Sequence, residues 1–123
     1  MPEGYLTTHV LDTARGVPAQ GVAITLFRLG RGSKGGGPEK IAEAVTNADG
    51  RTDAPILPKG QFAPGIYELV FFAGAYLRRT GQAGADPLFL DAVPIRFGMA
   101  EADSHYHVPL LLSPYGYSTY RGS

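Results

Sequence analysis

Three histidines are the side chains of this 123-residue sequence that exchange a proton near neutral pH without any special environment. His9 lies in a strand-like run with apolar Leu6 and Val10, and the period-two alternation of a strand places it on the opposite face from both. His105 and His107 share one face of a second run by the same rule. We therefore expect all three imidazoles to point away from the core, on the outer faces of two strands.

Outward histidines have more than one explanation, and the spacing alone does not choose a reaction. They can be solvated or interface residues, and His105 with His107 can also supply two ligands to a metal ion. Because an acidic or third histidine partner is not evident nearby, the spacing favours the solvated interpretation. Arg51, which follows an Asp49-Gly50 turn signal, is by itself an ordinary turn residue. A serine-hydrolase nucleophile elbow and a phosphate-binding loop motif are both missing from the sequence.

The elements that carry these residues are short, because 17 glycines and 10 prolines interrupt the chain. Alternation typical of half-buried strands covers 5–11, 22–28, 40–46, 66–72, 92–97, 105–112 and 115–121, and 74–82 has the pattern of a short helix. Seven or eight strands with one small helix predict an all-β sandwich or barrel, in a single domain over residues 1–123.

The connections between these strands are also readable. Turn residues fill 13–18, and the glycine-rich stretch 30–38 predicts a flexible hairpin loop. Ser113-Pro114 predicts a tight connection between the last two strands. Pro109, inside a strand pattern, predicts an edge position or an irregularity. The tyrosine-rich strand 115–121 is typical of an edge that pairs with another subunit.

Charge and composition exclude several classes of function. Eleven basic residues balance eleven acidic ones without clustering, so we expect no nucleic-acid partner and no membrane partner. The chain has no cysteine, which excludes disulfides, thiolate nucleophiles and cysteine-based metal sites. The first residues lack a signal-peptide pattern, and no apolar run approaches the roughly 18 residues of a membrane span. We expect a cytoplasmic protein.

Three segments together resemble the transthyretin-like family. Residues 6–29 (LTTHVLDTARGVPAQGVAITLFRL) resemble its first hairpin, and 46–53 (TNADGRTD) resemble its turn after the third strand. Residues 105–123 (HYHVPLLLSPYGYSTYRGS), which end in Tyr120-Arg121-Gly122-Ser123, resemble the signature of the 5-hydroxyisourate hydrolase branch of that family. The resemblance covers nearly the whole chain, apart from the 30–38 loop.

The resemblance implies an eight-stranded sandwich of two sheets with a short helix after the fifth strand. It also implies a homotetramer, built as a dimer of dimers around a central channel that is lined by outward faces. The implied reaction is hydrolysis of 5-hydroxyisourate, in which water opens the ring at the N1–C6 amide bond without a cofactor or metal. Two alternatives are a transthyretin-like carrier of small molecules without catalysis and a purely structural interaction domain of the same sandwich type.

The resemblance also implies roles for particular residues. His9, Arg51, His107 and Ser123 correspond to catalytic positions, and His9, Arg51 and Tyr120 to substrate-binding positions. The imidazoles of His9 and His107 would activate water and move protons, and Arg51 would bind substrate oxygens and offset developing negative charge. Tyr120 and Ser123 would contact substrate through hydroxyl, backbone or terminal carboxylate, unless the tail only packs an interface. His105 keeps a structural or supporting role.

Overall fold

The structure is a computed structural model and describes residues 3–30, 37–82 and 84–122. Within these residues the chain forms eight strands and one helix. They are β1 (Tyr5–Asp12), β2 (Val17–Pro18), β3 (Ala23–Leu29), β4 (Pro38–Val45), β5 (Gly65–Phe72), α1 (Ala73–Arg79), β6 (Ala92–Met99), β7 (His105–Ser113) and β8 (Gly116–Thr119). Among the described residues, no helix is both long and apolar enough to cross a membrane.

Two four-stranded sheets form the sandwich, with strand orders β2-β1-β7-β8 and β4-β3-β5-β6. All neighbouring strands are antiparallel except β1 and β7, which run parallel. The predicted all-β sandwich with one short helix is confirmed. Val17–Pro18 were predicted as part of a turn, but they pair with Leu11 and Asp12 as a two-residue edge strand. So short a strand has no room for alternation, which is the reason the sequence pattern does not mark it.

The core lies between the sheets and is built from alternate residues of each strand. In β1 and β7 the burial pattern alternates as the sequence predicts, with Leu6, Val10 and Leu110 fully buried. From the other sheet, Tyr67 and Phe71 of β5 fill the centre of the core. Full burial of an aliphatic or aromatic side chain of this size stabilises the fold by roughly 1.5–3 kcal/mol. The outward-facing residues that alternate with them are therefore available for functions other than core packing.

The parallel pairing of β1 with β7 places residues from the two ends of the chain side by side. In register, Tyr5 lies opposite His105 and Thr7 lies opposite His107. Parallel strands need a long crossover connection, and here β2 to β6 and α1 lie between β1 and β7 in the chain. The central pair of this sheet therefore carries all three histidines on one outward surface.

Pro109 lies in the middle of β7, which is an interior strand between β1 and β8. The predicted edge position is therefore wrong, while the predicted irregularity is present. The β7–β8 ladder covers Leu110 to Ser113 and stops before Pro109, because proline has no N–H to donate. The hydroxyl of Thr119 donates to the Pro109 carbonyl instead, at 2.7 Å. Beyond this break the tail returns to β7 through an isolated bridge between His107 and Gly122.

The remaining connections complete the sandwich. Leu29 pairs with Pro38 across β3 and β4, so the predicted 30–38 loop joins antiparallel neighbours, but 31–36 lie outside the described residues. The predicted Ser113-Pro114 connection is shifted by one residue, since β7 includes Ser113 and β8 starts at Gly116. Helix α1 is tied to the end of β1 by Tyr76, whose hydroxyl donates to Asp12 Oδ2 at 2.7 Å.

Candidate active site

The outward surface of β1 and β7 brings the three predicted histidines together. The ring centroids of His9 and His107 lie 6.4 Å apart, and those of His105 and His107 lie 6.1 Å apart. All three rings are half-buried, whereas their strand neighbours on the opposite face are buried in the core. The outward orientation predicted from alternation is therefore present, and it concentrates three titratable groups on one surface.

Arg51 reaches this surface through a tight turn. Asn47 starts the turn: its carbonyl accepts the Gly50 N–H at 2.9 Å, and its side-chain Oδ1 accepts the Arg51 N–H at 3.2 Å. The Gly50 carbonyl then accepts the Val10 N–H at 2.8 Å, which fastens the turn to β1. Arg51 consequently forms an isolated antiparallel bridge with His9. The main chain therefore holds Arg51 beside His9.

The same turn determines which ring nitrogen of His9 carries the hydrogen. The Nε2 atom lies 2.8 Å from the carbonyl oxygen of Asp49. Because a carbonyl can only accept, Nε2 carries the hydrogen, and the neutral ring has its lone pair on Nδ1. His9 is therefore held in a tautomer that can take up a proton at Nδ1.

Glycine is required at position 50 for two reasons. Its φ is +77°, in the left-handed region that side chains other than glycine rarely adopt. A Cβ atom there would also lie 2.4 Å from the Val10 carbonyl oxygen and 3.2 Å from Cδ2 of His9. The Asp-Gly turn signal in the sequence thus reflects a close approach of the turn to the catalytic candidate.

The surroundings of His107 disfavour its protonated form. Burial lowers the pKa of His107, and Arg51, followed by His105 and His9, lowers it further through charge repulsion. Its Nδ1 lies 2.8 Å from the hydroxyl oxygen of Thr7. A lowered pKa keeps this imidazole neutral at pH values at which an ordinary histidine is already protonated, which suits a group that accepts a proton from water.

The tail lies directly against His107. The Gly122 N–H donates to the His107 carbonyl at 2.6 Å, and a Cβ at position 122 would lie 2.8 Å from Cδ2 of the His107 ring. The Arg121 guanidinium lies 4.1 Å above the centre of the Tyr106 ring, a cation–π contact that anchors this end of the chain. Tyr120 is exposed beside it. Ser123, predicted as a catalytic residue, lies outside the described residues.

Two open grooves meet at His105 and His107. One, of about 460 Å³, is bordered by Arg51 and Asp53. The other, of about 720 Å³, is bordered by Tyr120 and the rest of the tail. Both grooves are lined by His105 and His107, so these two rings face both open spaces.

Sequence reasoning missed two residues of this surface. Thr7 lies within hydrogen-bond distance of both His105 and His107, and the ring of Tyr5 stacks on His105 with centroids 4.1 Å apart. The available signal was the period-two alternation that places Tyr5 and Thr7 on the same face as His9. Among the described residues, no group of three or more histidines, cysteines or carboxylates is arranged to hold a metal ion.

The arrangement as a whole combines imidazoles with the fixed positive charge of Arg51 beside open grooves. Such a set can remove a proton from water and stabilise an oxyanion on an attacked carbonyl.

Comparison with known proteins gives the family. The model of the HIUase/transthyretin family matches residues 6–122. The chain belongs to this family.

Relatives within the family are similar over almost their full length. The 5-hydroxyisourate hydrolase 2 of Rhizobium meliloti is 60% identical over 120 residues, covering 98% of this chain and 97% of that protein. A solved (S)-allantoin synthase is 44% identical with a TM-score of 0.90, but the match covers 99% of this chain and only 44% of that one. The family and fold predicted from the sequence are thus confirmed.

Two further structures represent the two activities considered above. The 5-hydroxyisourate hydrolase of Klebsiella pneumoniae is 35% identical with a TM-score of 0.77, over 97% of this chain and 99% of that one. Sea bream transthyretin in complex with thyroxine is 30% identical with a TM-score of 0.83, over 95% of this chain and 93% of that one. Backbone similarity therefore does not separate the hydrolase from the carrier within the HIUase/transthyretin family, and the separation depends on sequence identity and site residues.

Proposed function

We propose that this protein hydrolyses 5-hydroxyisourate to 2-oxo-4-hydroxy-4-carboxy-5-ureidoimidazoline, a step of urate breakdown. The observation that carries the proposal is the convergence of His9, Arg51 and His107, from three distant segments, on one outward surface. The relatives support the same activity, because proteins 50–60% identical to this chain are named 5-hydroxyisourate hydrolases. The predicted hydrolase is therefore favoured over the alternatives.

The chemistry follows from the neutral imidazoles. Nδ1 of His9 or the ring of His107 takes a proton from water as the water oxygen bonds to the C6 carbonyl carbon. Arg51 is placed to attract the negative oxygen that results. The C6–N1 bond then breaks, N1 receives the proton held by the imidazole, and the new carboxyl group ionises. Because His9 and Arg51 both act on His107, the base is assigned to His9 and His107 together rather than to either ring alone.

Substrate contacts are proposed for four residues. His9 and Arg51 approach from the turn side of the site, and Tyr120 and Ser123 from the tail. The position of Gly122 against His107 supports a tail contact, since its N–H donates to the His107 carbonyl and a Cβ at this position would touch the His107 ring. In this proposal Ser123 takes part in catalysis through its hydroxyl or its backbone.

The carrier alternative is weaker for this chain. The similarity to a thyroxine-bound transthyretin is 30% in sequence, half of that to the Rhizobium meliloti hydrolase. The surface at His107 also has a polar character, with Arg51, Asp53 and two imidazoles around it, which suits a polar heterocycle better than a hydrophobic ligand.

Assembly and compartment complete the proposal. We infer a homotetramer, a dimer of dimers, in which a single hydrolase domain of residues 1–123 is repeated around a channel lined by the outward histidines. The unpaired edges of β6 and β8 support association between copies. The cysteine-free composition suits a reducing compartment, and we propose that the protein acts in the cytoplasm.

The direct test generates 5-hydroxyisourate from urate with urate oxidase and follows its ultraviolet absorbance with and without this protein. We expect the protein to accelerate the decay, and His9→Ala and His107→Asn each to lower the rate by roughly 10²- to 10⁴-fold. Lys40→Ala, on the exposed part of β4 in the other sheet, is the matched control and keeps full activity. A folded wild-type protein that leaves the decay unchanged would contradict the proposal and bring the carrier forward.

A further inference from the structure

Thr7 is the residue that physically connects two of the histidines. Its hydroxyl oxygen lies 2.6 Å from Nε2 of His105 and 2.8 Å from Nδ1 of His107. The parallel register places Thr7 beside His107, and the two-residue period of β7 puts both rings on the same side of it. The hydroxyl therefore bridges two imidazoles that otherwise have 6.1 Å between their ring centres.

The number of hydrogens available in this bridge restricts the protonation states of the two rings. A threonine hydroxyl has one hydrogen to donate and can accept through its lone pairs. It can donate to only one ring, so at least one of the two facing ring nitrogens carries a hydrogen of its own. When His107 is protonated on both nitrogens, Nδ1–H donates to Thr7 and the Thr7 hydroxyl donates to His105. This arrangement is a continuous path for a proton.

His105 is held so that it can receive that proton. Its ring stacks on Tyr5 with centroids 4.1 Å apart and an angle of 8° between the planes. Stacking of this kind fixes the plane of the imidazole, and in this plane Nε2 is directed at Thr7. His105 also lines both grooves, where it is in contact with solvent. The path from His107 thus ends at a ring that can exchange its proton with water.

We propose that Thr7 and His105 form a proton relay for His107 in the hydrolysis proposed above, on which this inference rests. After His107 accepts the water proton at Nε2, its Nδ1–H bond breaks and a new O–H bond forms at Thr7. The original Thr7 O–H bond breaks and an N–H bond forms at Nε2 of His105. His107 is left neutral with its hydrogen on Nε2, and the positive charge resides on His105. Thr7 ends the step with one hydrogen, as it began. When the C6–N1 bond breaks, the transfers run in reverse: His105 returns a proton through Thr7 to Nδ1 of His107, and the Nε2 hydrogen of His107 passes to N1.

The charges around His107 favour this direction of transfer. The titratable and charged side chains near it come from β1, the turn after β4, β7 and the tail: Tyr5, His9, Arg51, Asp53, His105, Tyr120 and Arg121. Burial and then Arg51 lower the pKa of His107, so a proton on this ring is poorly retained. Moving the charge to His105 takes it off the ring at which burial and Arg51 disfavour it.

The test compares Thr7→Val, which keeps the shape of the side chain but loses the hydroxyl, with Thr7→Ser, which keeps the hydroxyl. We expect Thr7→Val to lower kcat about tenfold or more, as the loss of one proton-transfer partner does, and Thr7→Ser to stay within about threefold of wild type. In mixtures of light and heavy water, the wild type and Thr7→Ser should show a curved dependence of kcat on deuterium content, and Thr7→Val a linear one. Thr13→Val removes a threonine hydroxyl just beyond the far end of β1 and serves as the matched control.

A second variant keeps the test independent of any folding defect in Thr7→Val. His105→Phe retains a ring to stack on Tyr5 but removes the proton acceptor. Since the two groups act in series, the double variant of Thr7→Val and His105→Phe should be no slower than the slower single variant.

The relay and the proposed function fail in different ways. An active wild type with a fully active Thr7→Val overturns the relay and leaves the hydrolase in place. The relay is also overturned if Thr7→Val and Thr7→Ser lose kcat equally, or if the losses of Thr7→Val and His105→Phe multiply in the double variant. Either result would assign Thr7 a role in the shape of the site alone. An inactive wild type overturns the hydrolase and the relay together.

Discussion

The imidazole of His107 lies half-buried among groups that are positive or become positive. Burial lowers the pKa of His107 first, and Arg51, His105 and His9 lower it further. In the unfolded chain the same ring titrates near a pKa of about 6.5. Between the lowered folded value and this unfolded value, the unfolded state binds more protons than the folded state. The folded state therefore loses stability as the pH falls through about 6.5 towards the lower pKa.

Replacing His107 removes this contribution. We expect the free energy of unfolding of wild type to fall more than that of His107→Asn between about pH 7.5 and about pH 5.5, because the variant has no ring to protonate there. Urea unfolding of both proteins at several pH values measures the difference. Parallel pH dependences in the two proteins would show that the surroundings of His107 do not disfavour its charge.

For single residues, the sequence predicted orientation correctly where strand alternation determines which face a side chain occupies. The outward positions of His9, His105 and His107 follow from alternation with buried neighbours. The bridge through Thr7 could not be predicted, because it depends on the parallel register of β1 with β7, across 100 residues of sequence separation. A threonine in a strand has no pattern that indicates which distant ring it will meet.

At the scale of elements, the turn before Arg51 has the clearest effect on the site. Gly50 brings the turn so close to β1 that its carbonyl accepts the Val10 N–H, and the next residue is then held beside His9. The position combines a φ of +77° with a backbone atom 2.4 Å from where a Cβ would lie. The left-handed conformation and the close packing both require glycine at position 50, and substitutions can measure the two effects separately.

Gly16 provides the comparison. Its φ is +70°, close to that of Gly50, but a Cβ there would meet nothing within 4 Å. We expect Gly16→Ala to cost about 1–2 kcal/mol through the left-handed conformation alone. Gly50→Ala should cost more and should also lower hydrolysis, since the turn must move away from Val10 and take Arg51 with it. Urea unfolding and the absorbance assay measure the two effects. Equal costs with full activity in both variants would show that the turn relaxes without moving the site.

Most elements were predictable because their period and their turn residues agree. The seven longer strands and α1 follow the predicted runs within a few residues, and Gly50 closes a turn as the Asp-Gly signal indicates. The two-residue strand β2 and the interior position of Pro109 were not predictable. Both depend on which strands become neighbours, and pairing is decided by the whole sandwich rather than by local sequence.

At the scale of the whole molecule, the β6 and β8 edges of the two sheets leave apolar surface incompletely covered. Strands β6 and β8 are the last strands of their sheets, and an apolar recess of about 220 Å³ is bordered by Phe97 of β6 and Thr119 of β8. The two edges therefore lie on the same side of the sandwich. Tyr117 pairs with buried Leu112 and so belongs to the core-facing side, yet it remains 44% exposed because no strand follows it. A second copy of the chain, placed edge to edge, would cover this ring.

The proposed tetramer has a mass four times the 13.1 kDa of one chain, or about 52 kDa. Tyr117→Lys places a charge where the second copy would pack, so we expect sedimentation equilibrium to give a smaller species for this variant. Val45→Lys changes an exposed apolar residue on β4, the opposite edge of the other sheet, and should leave the mass at four chains. A wild type that sediments at 13.1 kDa would contradict the tetramer. Equal loss of assembly in both variants would place the contact elsewhere, since an interface at the β6 and β8 edges can respond only to the substitution that lies within it.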